Sequence, residues 1–229
     1  MEKVRIARRP ILAGAAALLL LTNLPRPAKA EVTGGTALHR AAGRNDAAGI
    51  ARLLAAGAPI EARDASGATP LLSATHANAV DAARALIAAG ADVNARDRIA
   101  DSPYLYAGAR GHLEILKLTL QHGADLRSLN RFGGTALIPA AERGHVETVR
   151  TLIEAGVAVD HVNDLGWTAL LEAIILGDGG FRHRQIVELL IRAGANVNLA
   201  DGEGVTPLHH ARRAGYRDIQ RILTAAGAR

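Results

Sequence analysis

The chain contains nine histidines, the residue type that most often serves as a general base or a metal ligand near neutral pH. A two-histidine metal site on a helix needs the pair four residues apart with a carboxylate nearby, because only then do both rings face one ion. His209 and His210 are adjacent instead and point in different directions from a helix. The motifs G-x-S-x-G, H-E-x-x-H and G-x-x-x-x-G-K are also absent. We therefore predict no catalytic residues, no metal site and no cofactor.

Cysteine chemistry and nucleotide binding are disfavoured as well. The sequence has no cysteine, which excludes disulfides, zinc–thiolate sites, iron–sulfur clusters and cysteine nucleophiles. The glycine-rich run at residues 177–180 follows a predicted helix rather than a strand, so it is interpreted as a loop and not as a phosphate-binding turn.

The composition indicates a helical protein whose positive charge lies at one end. Of the 229 residues 49% are hydrophobic but only 3% are aromatic, and alanine-rich stretches favour close packing of helices. Residues 1–30 hold six basic side chains and one acidic one, whereas the rest of the chain holds 21 of each. Because the net charge of +5 belongs to this first segment, it does not predict binding of nucleic acid.

Residues 1–30 have the three parts of an export signal. A basic start precedes the apolar run Ile11–Leu21, and Ala28-Lys29-Ala30 fits an A-x-A cleavage site. The run is shorter than the roughly 17 to 25 residues of a spanning helix, so we expect cleavage after Ala30, a periplasmic or secreted product and no stable membrane insertion. The pair Arg8-Arg9 before Pro10-Ile11-Leu12 resembles a twin-arginine signal, but an ordinary secretory signal remains an equal alternative.

The rest of the chain repeats with a period of about 33 residues. Six glycines follow Leu/Ile-rich stretches at spacings of 33 residues, with one spacing of 38: Gly57, Gly90, Gly123, Gly156, Gly194 and Gly227. Motifs such as Thr69-Pro70-Leu71-Leu72 and Thr206-Pro207-Leu208-His209 recur in the same phase. A fixed period of this size predicts a repeat array.

Each unit is expected to form two helices. A Thr or Ser hydroxyl caps the first helix, and the proline that often follows lacks the amide hydrogen that would be unsatisfied there. The second helix has an apolar stripe, as in Val149, Leu152 and Ile153, and ends at the glycine. One stripe is buried only by the neighbouring unit, so an all-α solenoid is predicted. The last unit has polar residues, among them Thr224, where earlier units are apolar, as expected of a cap.

These motifs resemble the ankyrin repeat, and the chain is similar to exported bacterial ankyrin-repeat proteins. The resemblance implies six helix-turn-helix repeats with β-turn tips, at about residues 31–63, 64–96, 97–129, 130–162, 163–200 and 201–229 of a domain spanning 31–229. It implies a structural hydrogen-bonding role for four histidines: His39, His112, His145 and His209. It also implies a non-enzymatic protein that binds another protein. We expect a monomer.

A partner-binding surface is predicted where residues outside the repeat framework lie at the turn tips. Ile99, Phe132 and Leu165 take equivalent tip positions in repeats 3 to 5, and Trp167 follows on the fifth. Charged residues flank them: Arg98, Asp101, Arg131 and Asp164. Apolar and aromatic residues beside arginine are typical of interaction hot spots. The alternative is that neighbouring tips pack on each other and brace the turns.

The fifth repeat carries five additional residues, 178–182, between its helices. Phe181 makes this segment a candidate second recognition element, because loops tolerate insertions and often carry function. The alternative is structural: the insertion lengthens the helices and packs on Ile175 and Leu176, which are apolar where the fourth repeat has Glu142 and Arg143.

Two hypotheses for function follow. The first is an exported protein-interaction module that binds its partner through the turn tips and first helices of repeats 3–5. The alternative is a dedicated stabiliser or inhibitor of one exported enzyme, for instance in peroxide or oxidative-stress defence, as implied by a resemblance to periplasmic bacterial ankyrin proteins associated with peroxide protection. A leader and six repeats occupy the whole sequence, so we expect no enzymatic activity.

Cleavage of the leader should give a mature protein that begins at Glu31, because the A-x-A site follows a short apolar run. Mass spectrometry of the periplasmic fraction tests this, and an intact Met1 there would contradict it. Replacing both Arg8 and Arg9 by lysine should block export only if the twin-arginine route is used.

Overall fold

A computed structural model describes residues 36–229, so the predicted leader and its cleavage site lie outside the described residues. The described chain forms twelve α-helices: α1 Ala37–Gly43, α2 Ala47–Ala55, α3 Pro70–His76, α4 Val80–Ala88, α5 Pro103–Arg110, α6 Leu113–Gln121, α7 Leu137–Glu142, α8 Val146–Glu154, α9 Ala169–Ile175, α10 Phe181–Arg192, α11 Pro207–Arg213 and α12 Arg217–Ala225. The helices form six pairs, and residues 36–229 contain no β-strand. The predicted all-α repeat solenoid is confirmed.

The first helix of most units begins as its sequence predicts. In α3 the Leu72 amide donates to Thr69 Oγ1 over 3.1 Å, and Pro70 takes the first helical position. Equivalent caps begin α1, α5, α9 and α11. The fourth unit differs, because α7 starts one residue later at Leu137 and the buried Thr135 hydroxyl has no hydrogen-bond partner there.

The second helices end at the six glycines that define the period. All six have φ between 83° and 92°, the left-handed conformation that costs an L-residue energy and glycine very little. At the first of them, the Gly57 amide donates to the Leu54 carbonyl and the next amide reaches Leu53. The chain therefore turns away from each second helix with its last carbonyls satisfied.

Stacking of neighbouring units buries one face of every helix. First helices pack on first helices along the whole array, and second helices pack on second helices. Six alanines at equivalent positions of the first helices are buried, which allows close helix approach: Ala41, Ala74, Ala107, Ala140, Ala173 and Ala211. The larger core side chains, Leu152 among them, are fully covered by the adjacent units.

Three of the four framework histidines make the hydrogen bonds that the resemblance implied. His39 Nε2 donates to the Ala68 carbonyl of the next unit over 2.9 Å, and His112 Nδ1 donates to the Thr75 carbonyl of the preceding unit over 2.9 Å. His209 Nδ1 lies 2.8 Å from its own cap, Thr206 Oγ1. The His145 ring lies against the backbone of Gly111 instead.

The last repeat closes the array with a polar surface. Arg212 and Thr224 are exposed, whereas Ala141, which matches Arg212 two units earlier, is fully buried. Ile219 and Leu223 still pack against the core, so α12 keeps an apolar inner face and a polar outer one. Among residues 36–229, no helix is long and apolar enough to cross a membrane.

Leu152→Ala should destabilise the array far more than Thr224→Ala. Leu152 is completely buried in the fourth repeat, and large-to-small changes of this kind cost about 2–5 kcal/mol. Thr224 is exposed on the terminal helix, so its replacement should cost less than about 1 kcal/mol. Urea unfolding followed by circular dichroism measures both, and equal losses would contradict the assignment of core and cap.

Candidate partner-binding groove

The turn tips of repeats 3 to 5 hold large apolar side chains in solvent. The exposed fractions are 52% for Ile99, 52% for Phe132 and 57% for Leu165. Each tip is fixed from within by an Asp or Asn. Asn130 Oδ1, for example, accepts from the amides of Phe132 and Gly134 over 2.8 and 3.0 Å. The side chains are therefore presented by backbone that is already ordered.

The proposed bracing of neighbouring tips does exist, but the main chain provides it. The Asp164 amide donates to the Phe132 carbonyl over 3.0 Å, and the Arg98 amide donates to the Ser66 carbonyl over 3.1 Å. This contact does not bury the apolar side chains at the tips, since Phe132 and Leu165 stay half-exposed. Bracing and recognition are thus compatible here.

A groove of about 240 Å³ runs between the tips and the first helices of repeats 3 to 5. Its apolar surface comes from both sources: Leu105, Tyr106, Phe132, Ile138, Pro139, Leu165 and Leu176. Four of the predicted site residues line it, namely Asp101, Arg131, Phe132 and Leu165. A concave, mostly apolar surface with a few polar groups is the usual form of a binding site.

The other five predicted residues lie outside the groove lining. Arg98, Ile99 and Asp164 are exposed at the tips, and Trp167 is half-buried, less accessible than the rest of the predicted row. Phe181 is 66% exposed at the start of α10, in a separate shallow depression with Arg184 and Asp218. The structure therefore separates the predicted residues into a groove set, a tip set and one residue on α10.

Arginine and carboxylate side chains are fixed at the rim. Arg131 Nη1 lies 3.8 Å from Asp101 Oδ2, and the Arg131 guanidinium carbon lies 4.8 Å from the centre of the Phe132 ring. Burial raises the pKa of Asp101, and neighbouring Asp97 adds to the effect while Arg131 opposes it. Arg131 thus holds the aromatic ring and a partly buried carboxylate together.

Glu172 is the groove residue that sequence reasoning did not single out. It is only 6% exposed and lines the groove, where Asn163 Nδ2 donates to its Oε1 over 2.9 Å. Burial, reinforced by the nearby Glu142 carboxylate, raises the pKa of Glu172 to about 7. Its place in the repeat could have indicated it. Glu172 stands directly before the buried alanine of the first helix, the position that Tyr106 and Pro139 take in repeats 3 and 4. All three of these variable residues line the groove.

The residues on either side of the insertion, Gly177 and His183, link the fifth repeat to its neighbours. His183 Nε2 donates to the Glu142 carbonyl of repeat 4 over 2.9 Å, and its Nδ1 lies 2.7 Å from Asp178 Oδ1. The Tyr216 hydroxyl of repeat 6 donates to the Gly177 carbonyl over 2.7 Å. Of the two helices that were predicted to lengthen, only the second does, to 12 residues from nine in the other units, while α9 has the usual seven.

The expected packing on Leu176 is wrong. Leu176 remains 50% exposed and lines the groove, because α9 ends at Ile175 and the chain leaves the helix there. The apolar side chain that sequence reasoning assigned to the insertion therefore belongs to the candidate binding surface.

The family model for ankyrin repeats, built from three copies, matches residues 11–97 and 104–201. The chain belongs to the ankyrin repeat family. In this ankyrin repeat protein, the groove lies between the turn tips and the first helices of repeats 3 to 5. The first helices contribute Tyr106, Pro139 and Glu172 to it from equivalent positions. No group of three or more His, Asp or Glu side chains in residues 36–229 is arranged to hold a metal ion.

Solved structures agree with this assignment over most of the chain. An ankyrin repeat domain from Acinetobacter baumannii AYE is 64% identical, with a TM-score of 0.81, and the alignment covers 84% of this chain and 98% of that domain. The ankyrin repeat protein EF0377 is 43% identical with a TM-score of 0.79, covering 82% and 96%. The ankyrin repeat domain of Bcl-3, a member of the IκB family, is 29% identical with a TM-score of 0.76, covering 86% and 88%.

A shorter match relates the chain to YahD, an ankyrin repeat protein of Escherichia coli K12. The two are 49% identical over 57 residues, which is 25% of this chain and 28% of YahD. Since the match spans little more than a quarter of YahD, it supports the family and not a shared activity.

Replacing Glu172 by glutamine should make the stability of this ankyrin repeat protein less dependent on pH. Because the pKa of Glu172 is about 7 in the folded chain and near 4.5 when unperturbed, the folded state retains a proton that the unfolded state releases. The wild type should therefore lose stability as the pH rises from 5 to 8. We expect a loss of about 1–2 kcal/mol, since solvent in the groove screens part of the effect.

Urea titrations of wild type and Glu172→Gln at pH 5 and pH 8 measure this difference. Glutamine keeps the acceptor for Asn163 but not the charge, so the variant should be the more stable protein at pH 8. Identical pH profiles for the two proteins would contradict the assigned burial of the carboxyl group.

Proposed function

We propose that this ankyrin repeat protein is a non-enzymatic module that binds another protein in the groove of repeats 3–5. The observation that supports it most is the presence of Phe132 and Leu165 on ordered turn tips, more than half exposed, beside a groove that continues their apolar surface. Ankyrin repeats are in general protein-interaction modules, and stacked repeats offer an extended surface of this kind.

The rigidity of the tips favours tight binding. Side chains held by backbone hydrogen bonds lose little conformational freedom when a partner covers them, so more of the burial free energy appears as affinity. Phe132 with Arg131 stacked on its ring combines the aromatic and arginine chemistry of hot spots. A partner that buries the groove and the exposed tips would remove this apolar surface from water.

The chemistry of the groove gives little support to an enzyme. Glu172 is the buried titratable group that faces it, and its side-chain bond in the described structure is to the amide of Asn163. A hydrolytic or transfer site would need a nucleophile and a base within hydrogen-bond reach of each other. The proposal is therefore a binding function.

We further propose that binding takes place after export. The support is the three-part signal in residues 1–30, which also accounts for the excess positive charge of the chain. The narrower form of the proposal is that the partner is one exported enzyme, which the protein stabilises or inhibits, for instance in oxidative-stress defence. An ordered groove of mixed fixed charges favours a defined partner, because promiscuous binders use flexible, repackable surfaces.

Phe132→Ala and Leu165→Ala should each weaken binding of the partner by about 1–3 kcal/mol while leaving stability nearly unchanged. Both side chains are exposed in the free protein, so folding does not depend on them. The partner is first captured by crosslinking from the periplasmic fraction and identified, and its affinity for each purified variant is then measured by calorimetry.

Val162→Ala is the matched control, because Val162 is exposed to 45% near the same tips but does not line the groove. Arg98→Glu at the tips should mainly change the rate of association and its dependence on salt. Groove variants that bind as tightly as the wild type would remove this surface as the binding site and leave the patch around Phe181 to be tested.

A further inference from the structure

Of the three carboxyl groups that line the groove, Asp101 and Glu142 each have an arginine of the chain beside them, and Glu172 does not. Arg131 lies against Asp101, and Arg143 Nη2 lies 3.9 Å from Glu142 Oε2 while its Nη1 donates to the Ala109 carbonyl over 2.7 Å. Arg110 has its guanidinium 5.4 Å from the centre of the Tyr106 ring. Glu172 has no basic side chain within 4.0 Å among the described residues. One groove carboxyl is thus left without a cation.

This carboxyl group belongs to a mostly buried residue that lines the groove. Glu172 is packed into the stack on α9, and Asn163 occupies its Oε1. Its second oxygen has no hydrogen-bond partner among residues 36–229, and Glu172 lines the groove. A buried carboxylate with a single amide donor is poorly compensated when ionised.

The next repeat shows what a compensated pair looks like at the equivalent place. There His210 occupies the helix position of Glu172, and Asp201 occupies the turn position of Asn163. His210 Nε2 lies 2.7 Å from Asp201 Oδ2, so the carboxylate has an ionisable partner from its own chain. In the fifth repeat the carboxylate is on the helix, and the turn supplies a neutral amide instead.

We propose that the groove receives a basic side chain, lysine or arginine, from a polypeptide segment of the partner, and that this side chain pairs with Glu172. Apolar side chains flanking the basic residue cover Phe132, Leu165 and Leu176. This inference rests on the proposed function and specifies the chemistry of the partner. Charge complementarity supports it, since Glu142 places a second carboxylate near Glu172, while Arg131 and Arg143 already lie beside other groove carboxylates.

Pairing with a cation should make binding depend on pH. The charges that act on Glu172 come from α7, where Glu142 opposes its ionisation and Arg143 favours it. On the helices packed against α9, His183 is bonded to Asp178 and His210 to Asp201, while His209 is bonded to the Thr206 hydroxyl. With the pKa of Glu172 at about 7 before binding, affinity for a basic segment should rise about tenfold from pH 6 to pH 8 and then level off.

The test uses a displayed library of random dodecapeptides selected on the folded protein at pH 8. The selected sequences should share one lysine or arginine with apolar neighbours. The tightest peptide is then synthesised with its basic residue intact and with norleucine in its place, and fluorescence anisotropy gives the affinity of each form.

Glu172→Gln should weaken the basic peptide at least tenfold, should not weaken the norleucine peptide further, and should abolish the rise between pH 6 and pH 8. Glu147→Gln is the matched control, because Glu147 is an exposed acid on α8 paired with Arg150 and lies outside the groove. Its affinity for both peptides should equal that of the wild type.

Selection of peptides without a common basic residue, or of none that binds saturably, would overturn the inference, as would equal affinity of wild type and Glu172→Gln. Phe132→Ala and Leu165→Ala separate this failure from failure of the proposed function. If these two variants weaken the selected peptides and Glu172→Gln does not, only the basic side chain is wrong. If neither of them weakens the selected peptides, the groove itself is not the binding surface.

Discussion

Burial of one apolar stripe per helix against the next repeat is the interaction on which the rest of this structure depends. A single pair of short helices exposes too much apolar surface to be stable, so each unit folds against its neighbours. The equivalent alanines of the first helices, such as Ala140 and Ala173, let the helices approach closely and hold the array in register. Because stacking and the hydrogen bonds of framework residues stabilise the array, exposed residues outside the framework can vary without unfolding the chain.

The candidate groove forms because framework residues stabilise the stack and other residues occupy the turn tips. Stacking places successive turns side by side, and the backbone bond between Asp164 and Phe132 ties two of them together. Side chains at the tips need not stabilise the fold, so Phe132 and Leu165 stay exposed. The groove has one wall of tips and one of first helices, and hydrogen bonds within the turn of Asn130 fix the backbone of its tip.

Glu172 shows how the same framework holds a group at a free-energy cost. Burial next to Glu142 disfavours its ionised form, and nothing in the described part of the chain neutralises it directly. Hydrogen bonds next to the insertion keep this region in place, because His183 and Tyr216 connect repeats 4, 5 and 6 through backbone carbonyls. Stability elsewhere in the array therefore supports a locally unfavourable charge at the site.

The sequence by itself determined the period, the helix pairs, the glycine ends and the tip positions, because caps, apolar stripes and left-handed turns depend on residues close together in the chain. It also placed Ile99, Phe132 and Leu165 at equivalent tips. Their exposure shows that these side chains are not buried between neighbouring tips. Only the tertiary structure decided which of them share a groove, that Trp167 is half-buried, and that Leu176 and Glu172 complete the lining. Those facts depend on distances between residues about 30 to 40 positions apart and on the water that each environment excludes, which local sequence patterns do not specify.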